Sequence, residues 1–257
     1  MSDKQHDVSA MRAITISRQY GSGGGEIAAR LAQKLGWQLI DHEIVAEVAH
    51  ELGITAEEAE SRDERVEGFI SRVLSTFQHT APAALVPAVV PPVSTDFAEQ
   101  AYREALHRVV ETAANTGHAV IVGRAGQVLL AARRDVLHVR IVAPPKQRIT
   151  YVARREGLDE ATAQLRLQLK DRDRARYLQM QHHHNVDDPL LYDLVLNTGV
   201  LDLDSAVDLI CLALERKAQR LAVPTGELGP AAGLAPYPGR PADLRPPAGL
   251  TEKEAPS

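Results

Sequence analysis

The chain has 257 residues, 44% of them hydrophobic and 25% charged, which is apolar material enough for one α/β domain or two small ones. Its net charge of −5 excludes a general nucleic-acid binder, which carries a basic surplus, so any basic site is local. A lone cysteine, Cys211, excludes disulfides and is expected as a buried small hydrophobe; no run reaches the ~18 apolar residues of a membrane span, and the first residues lack a secretory pattern, so a soluble cytoplasmic protein without membrane partners is expected.

Residues 1–11 read as a flexible polar tail. A β-branched run predicts a strand over 13–16, and Arg18-Gln19-Tyr20 then leads into Gly21-Ser22-Gly23-Gly24-Gly25-Glu26. The helix that follows carries Ile27, Leu31 and Leu35 on one face and stops at Gly36, a residue suited to the C′ position. A second strand over 37–40 ends in Asp41, completing a βαβ unit with a parallel sheet.

Glycines let backbone N–H groups close around an anion, and the positive end of the next helix faces the same point, so this unit predicts a phosphate cradle. The lysine of G-x-x-x-x-G-K-[ST] is absent: its position falls at Gly24 or, one residue on, at Gly25. Gly23-x-Gly25-x-x-Ala28 followed by Asp41 also fits a dinucleotide fingerprint, so an NAD-binding Rossmann protein stays open here, as does a glycine turn without a ligand.

From 42 to about 116 the text is helical and charged, interrupted by the proline-rich stretch 81–92 and resuming at Asp96 with a capping box to Glu99; this reads as a projecting arm. Strands are expected over 118–122, ending in Gly123-Arg124, over 136–142, before Pro144-Pro145, and over 193–198. A closing amphipathic helix over 205–221 precedes a disordered Pro/Gly-rich tail at 223–257.

Arg154 and Arg155 precede a helical stretch in which Arg166, Lys170 and Arg174 fall at i, i+4 and i+8, a cationic row able to hold a polyphosphate unless Asp171 and Asp173 neutralise it as a solvated face. Asp41 and Arg124 each follow a strand, at the sheet edge where open parallel sheets take ligands. The His182-His183-His184 run lacks ligand spacing, so no metal site is expected there, and no nucleophile elbow accompanies Ser22. A phosphate cradle, Mg²⁺ and mobile cations are what phosphoryl transfer requires.

Ile16 to Ala28, Ile40-Asp41, Val122-Gly-Arg124, Asp171-x-x-Arg174-x-x-Tyr177 and Asp187-Asp-Pro-x-x-Tyr192-Asp-Leu-Val-Leu-Asn-Thr198 together resemble the cytidylate-kinase-like P-loop family over roughly 12–215. The resemblance implies a three-layer P-loop kinase fold with a five-stranded parallel sheet and helices on both faces, in a domain at 12–222 with an arm at about 42–116 and a lid at about 154–184. It implies MgATP-dependent phosphoryl transfer to CMP or dCMP. Arg18, Gly21, Ser22, Gly23, Gly24, Gly25 and Glu26 would hold ATP, Asp41, Arg124 and Asp171 the acceptor, and Arg154, Arg172 and Arg174 the group in transfer. Two departures stand out: Ala125 replaces the aspartate that follows Gly-Arg in authentic cytidylate kinases, and the loop cation is missing, leaving Arg18 or Arg30 to substitute. A nucleotide-binding regulatory module without turnover is the alternative.

Overall fold

The computed structural model describes residues 8–41 and 95–229, without the side chains of 95–103 and 105. Most of the arm, including 81–92, and most of both tails lie outside the described residues. One compact unit extends to Arg220; the described part of the second, from Leu221, holds a 3₁₀ turn at Thr225–Glu227.

At the centre lies β1 (Ala13–Arg18), whose first five residues are buried. It pairs in parallel with β3 (Ala119–Val122) on one side and β4 (Val136–Val142) on the other. The edges are β2 (Gln38–Ile40), beside β3, and β5 (Leu194–Asn197), beside β4, so the order is β2-β3-β1-β4-β5. β3 reads as a continuous apolar run because it is covered on both faces, β1 and β4 bury Thr15, Ser17, His138 and Arg140 among their apolar residues, and β5 alternates. β1 runs two residues past the expected end because β4 pairs with it as far as Arg18↔Ile141.

α1 (Gly24–Leu35) buries Ile27, Ala28, Leu31 and Ala32, and Gly36 closes it in the left-handed conformation, as its sequence predicts. α2 (Thr95–Thr116) buries Leu106, Val109, Val110, Ala113 and Ala114 in a cluster that includes Ala13, Ala119 and Ile121. After β3 comes α3 (Gly126–Leu129), a single turn that no periodicity announces. α4 (Pro145–Glu156) and α5 (Glu160–His182) form an antiparallel pair, α5 capped by Asp159, whose side chain accepts from Thr162 N–H at 2.9 Å. α6 (Leu203–Gln219), capped by Asp202, packs on α1; Cys211 on it is half-buried rather than buried, its thiol pushed up by burial.

The strand order removes the NAD reading. A Rossmann sheet sets its second strand beside the first, so that the acid ending strand two flanks the glycine loop. Here β3 intervenes between β1 and β2, leaving Asp41 one strand further out.

Across the β1–β4 pairing, Thr15 Oγ1 lies 2.8 Å from Nδ1 of His138, which is buried. Burial, with Lys217 adding to it and Asp193 opposing, holds this imidazole down to about 4 from an ordinary 6.5. Between those values the unfolded chain binds the extra proton, so stability is lost as pH falls from 6.5 towards 4, by on the order of 3 kcal/mol. Melting curves across this range should show a falling Tm, and His138→Gln should flatten the fall; an equally steep fall in the variant would assign it elsewhere.

Candidate functional site

The glycine loop is fastened to β4 by its backbone and its short polar side chains. Gln19 N–H donates to Ile141 O at 2.9 Å, and Gln19 Oε1 accepts from Ala143 N–H at 3.1 Å. Ser22 is buried and donates its hydroxyl to Gln19 O at 2.8 Å, while Thr198 Oγ1 donates to Ser22 O at 2.8 Å. The Ser22 side chain therefore braces the loop. Glu26, in the first turn of α1, pairs with Arg155 of α4.

Arg18 fills the space that a side chain at Gly24, one of the two positions for the missing lysine, would enter. A Cβ on Gly24 would lie 2.6 Å from Arg18 Cβ, and one on Gly123 would lie 2.3 Å from Arg18 Nη1, so glycines on both sides admit this one side chain. Its guanidinium is held down to about 10, first by burial, then by Arg174 and Arg124, against the opposing pull of Asp41. It remains charged at neutral pH. Arg30, the other candidate substitute, faces away and pairs with Asp204 at 2.6 Å.

Arg174 lies over the Tyr20 ring, 5.4 Å from its centroid, and donates to Arg18 O at 3.4 Å. Arg124 follows β3 in a turn where Gly123, Arg124 and Ala125 all have positive φ, at 78°, 54° and 54°. For the two non-glycine residues this conformation costs on the order of 1–2 kcal/mol each. It turns Arg124 inward, with Nη2 buried and without a hydrogen-bond partner among the described residues. Buried donors are rarely left so, and an anion would satisfy this one.

Two cavities flank this cationic cluster. One, of about 260 Å³, is lined by Arg18, Gly21, the segment from Gly23 to Glu26, Arg155 and Arg174, among others. The other, of about 320 Å³, is lined by Arg18, Arg124, Lys170 and Arg174, by the acidic Asp173, and by Ser17, Gln127 and Tyr177 with neighbouring apolar groups. Arg18 and Arg174 border both. Ser17, on the second cavity, receives a hydrogen bond from buried Arg140 at 3.1 Å, and Arg140 pairs with Asp187 at 2.6 Å.

The remaining expected site residues lie elsewhere. Asp171 lines neither cavity: its Oδ1 accepts from Tyr20 N–H at 2.7 Å and its Oδ2 from buried Arg148 at 2.5 Å, while Arg148 also donates to Tyr20 O at 3.0 Å. This pair clamps the turn into the loop. Arg154 and Arg172 are exposed and line neither cavity: α4 turns Arg148 and Val152 inward, with exposed Arg155 reaching the rim of the first cavity, and α5 turns Leu167, Asp171, Arg174 and Leu178 inward. Asp41 contributes through charge on Arg18. The cationic row divides: Arg166 pairs with Glu156, while Lys170 and Arg174 reach the cavity. His182 packs tilted against His107 and edge-on against Tyr177, with ring centroids 5.4 and 5.7 Å apart, and among the described residues no three potential ligands gather around a metal site. Sequence reasoning missed Arg148, whose contacts to Tyr20 and Asp171 are distant in the chain, and named Arg155 only as the neighbour of Arg154.

The space around the loop decides where a lysine is tolerated. Gly25 opens onto nothing within 4 Å, whereas Gly24 abuts Arg18. Gly25→Lys is expected to fold and bind ATP several-fold tighter, and Gly24→Lys to lose about 1–3 kcal/mol of stability. Titration calorimetry and denaturant melts check both; unchanged ATP affinity in a folded Gly25→Lys would count against a phosphate at the loop.

A sequence model of the cytidylate kinase-like family matches residues 13–200. The cytidylate kinase of Archaeoglobus fulgidus is 26% identical over 206 residues, 79% of this chain and 95% of that protein. A Corynebacterium glutamicum protein named uronate isomerase is 34% identical over 98 residues, 38% of this chain, but the match spans only 19% of that protein. Among solved structures, an uncharacterized protein from Eubacterium ventriosum superposes with a TM-score of 0.58 at 22% identity, over 80% of this chain and 99% of the other, a likeness of fold.

Proposed function

Because the chain belongs to the cytidylate kinase-like family, we propose that it transfers the terminal phosphoryl group of ATP to a nucleoside monophosphate, CMP or dCMP foremost. The observation that carries this reading is the pair of cavities sharing Arg18 and Arg174, one bordered by the glycine loop and the other by Arg124. A donor phosphate chain in the first and an acceptor phosphate in the second would meet at the shared guanidiniums.

The reaction forms a bond from an acceptor phosphate oxygen to the γ-phosphorus and breaks the bond from that phosphorus to the bridging oxygen, releasing ADP. Catalysis then consists of positioning and charge stabilisation. Loop amides and the α1 N-terminus hold the donor phosphates, Arg124 fixes the acceptor phosphate, and Arg18 with Arg174 offset the charge on the group in flight. A Mg²⁺ ion accompanying ATP would supply further charge neutralisation at the phosphates.

A thermal-shift panel of ATP, CMP, UMP, AMP and NAD tests the reading, because a ligand of the native state raises Tm by mass action. ATP and CMP should each stabilise and NAD should not. Stabilisation by ATP alone would favour the non-catalytic module that the lysine-free loop suggests.

A further inference from the structure

Arg140 sits in β4, between β1 and β5, with 5% of its surface exposed. Burying a guanidinium costs stability unless its donors are matched, so a valine or leucine would be the ordinary residue here. The parallel register sets it beside Ser17 of β1. Its Nη1 donates to Ser17 Oγ at 3.1 Å, its Nη2 to Asp187 Oδ1 at 2.6 Å, and its Cζ lies 5.6 Å from the centroid of the Tyr192 ring.

Asp187 and Tyr192 belong to the stretch that leads from α5 to β5. This stretch is folded on itself: Asn185 Oδ1 accepts from Asp187 N–H at 3.0 Å, and Asp188 Oδ1 from Leu190 N–H at 2.9 Å. Arg140 fastens it to the sheet, and Val186 within it lines the same cavity as Ser17. The Tyr192 hydroxyl donates to Val186 O at 2.8 Å, which uses its single proton. At the 3.3 Å contact between Tyr192 and Ser17 the donor is therefore Ser17. The Ser17 proton is thus held by one long contact to a neutral oxygen, on the wall of a cavity that Arg18, Arg124 and Arg174 also border. A phosphate oxygen there is a stronger acceptor, and the hydrogen bond that Ser17 receives from Arg140 polarises the hydroxyl towards giving its own proton.

We propose that Ser17 donates its hydroxyl to the phosphate of the acceptor, and that Arg140, which does not line the cavity, is the positioning residue that orients it. This rests on the cavity being the acceptor site. Arg124 approaches the phosphate from the turn after β3, and Ser17 adds a directed neutral donor from the end of β1. Arg140 acts through Ser17 and through the stretch that carries Val186, without touching the ligand.

The test is a double-mutant cycle on steady-state ADP formation, with wild type, Ser17→Ala, Arg140→Met and the two combined, and with Tm measured alongside. Ser17→Ala should raise the KM for CMP ~10–100-fold, as for a lost hydrogen bond to a charged group, with kcat and the KM for ATP nearly unchanged. Arg140→Met should raise it comparably, and the combined variant should be no worse than Arg140→Met alone, because both changes remove the same interaction. An Arg140 that served packing alone would weaken CMP and ATP alike in step with a loss of Tm. If Arg140→Met fails to fold, Arg140→Lys, which keeps the charge on a single nitrogen without the fork, takes its place in the cycle. An unchanged KM for CMP in folded Ser17→Ala overturns the donor role, and effects of the two residues that multiply overturn the positioning role. Absence of CMP-dependent ADP formation in wild type overturns the acceptor assignment itself, and the proposal with it.

Discussion

Replacing Arg174 with alanine is expected to lower kcat by ~10³-fold while changing the KM for CMP little, as for mobile arginines in other phosphoryl-transfer enzymes. Its guanidinium borders both cavities from α5, resting on Tyr20 and 3.7 Å from Asp171, so nothing binds it tightly to either substrate pocket alone. A contact strengthened only as charge builds on the transferring group appears in kcat. Arg124 differs in kind. It is fixed in a strained turn on one cavity only, so Arg124→Ala should chiefly raise the KM for CMP. Steady-state ADP formation against CMP concentration separates the two, and an Arg174→Ala enzyme with wild-type kcat would remove it from the transfer step.

Arg18→Ala is expected to cut kcat/KM by about 10²–10³-fold without destabilising the fold in proportion. Burial and the neighbouring Arg174 and Arg124 depress its guanidinium, so in the ligand-free chain this charge is held at a cost. Removing it relieves repulsion and desolvation while leaving a space where the side chain lay, and Tm should stay within a few degrees of wild type. Phosphates bound in the two cavities would make the same charge favourable, the usual exchange of stability for function at a site. A variant that loses activity only in step with a large loss of Tm would instead mark Arg18 as structural. Arg18→Lys should recover part of the rate, since a point charge replaces a fork.

The sheet and its glycine loop were legible in the sequence because they depend on local signals: β-branched runs, helical spacing at Ile27, Leu31 and Leu35, and Gly36 as a stop. The strand order was not, because βαβ handedness leaves open whether β2 or β3 lies next to β1, and that order is what separates this fold from a dinucleotide binder. Choosing Arg154 over Arg155, or Arg172 beside Arg174, required the phase of each helix. Neighbours on a helix point about 100° apart, and only the buried stripe through Val152 or through Leu167 and Leu178 settles which one faces the loop. The assignment of Asp171 to the acceptor failed to foresee Arg148, a buried cation 23 positions away in sequence that occupies the carboxylate. Arg18 and Arg30 could both be named as stand-ins for the loop lysine, and only the contacts at Gly24 and Gly123 show that Arg18 lies beside the loop while Arg30 pairs with Asp204.

The central claim is that the two cavities are the donor and acceptor sites of one transfer. Its most direct test is ADP release by the full chain with MgATP, measured with and without CMP, in parallel with conversion of CMP to CDP. The account predicts CMP-dependent ADP formation with one CDP made for each ADP. ATP binding with no ADP formation beyond the rate without CMP, whichever nucleoside monophosphate is supplied, would contradict it.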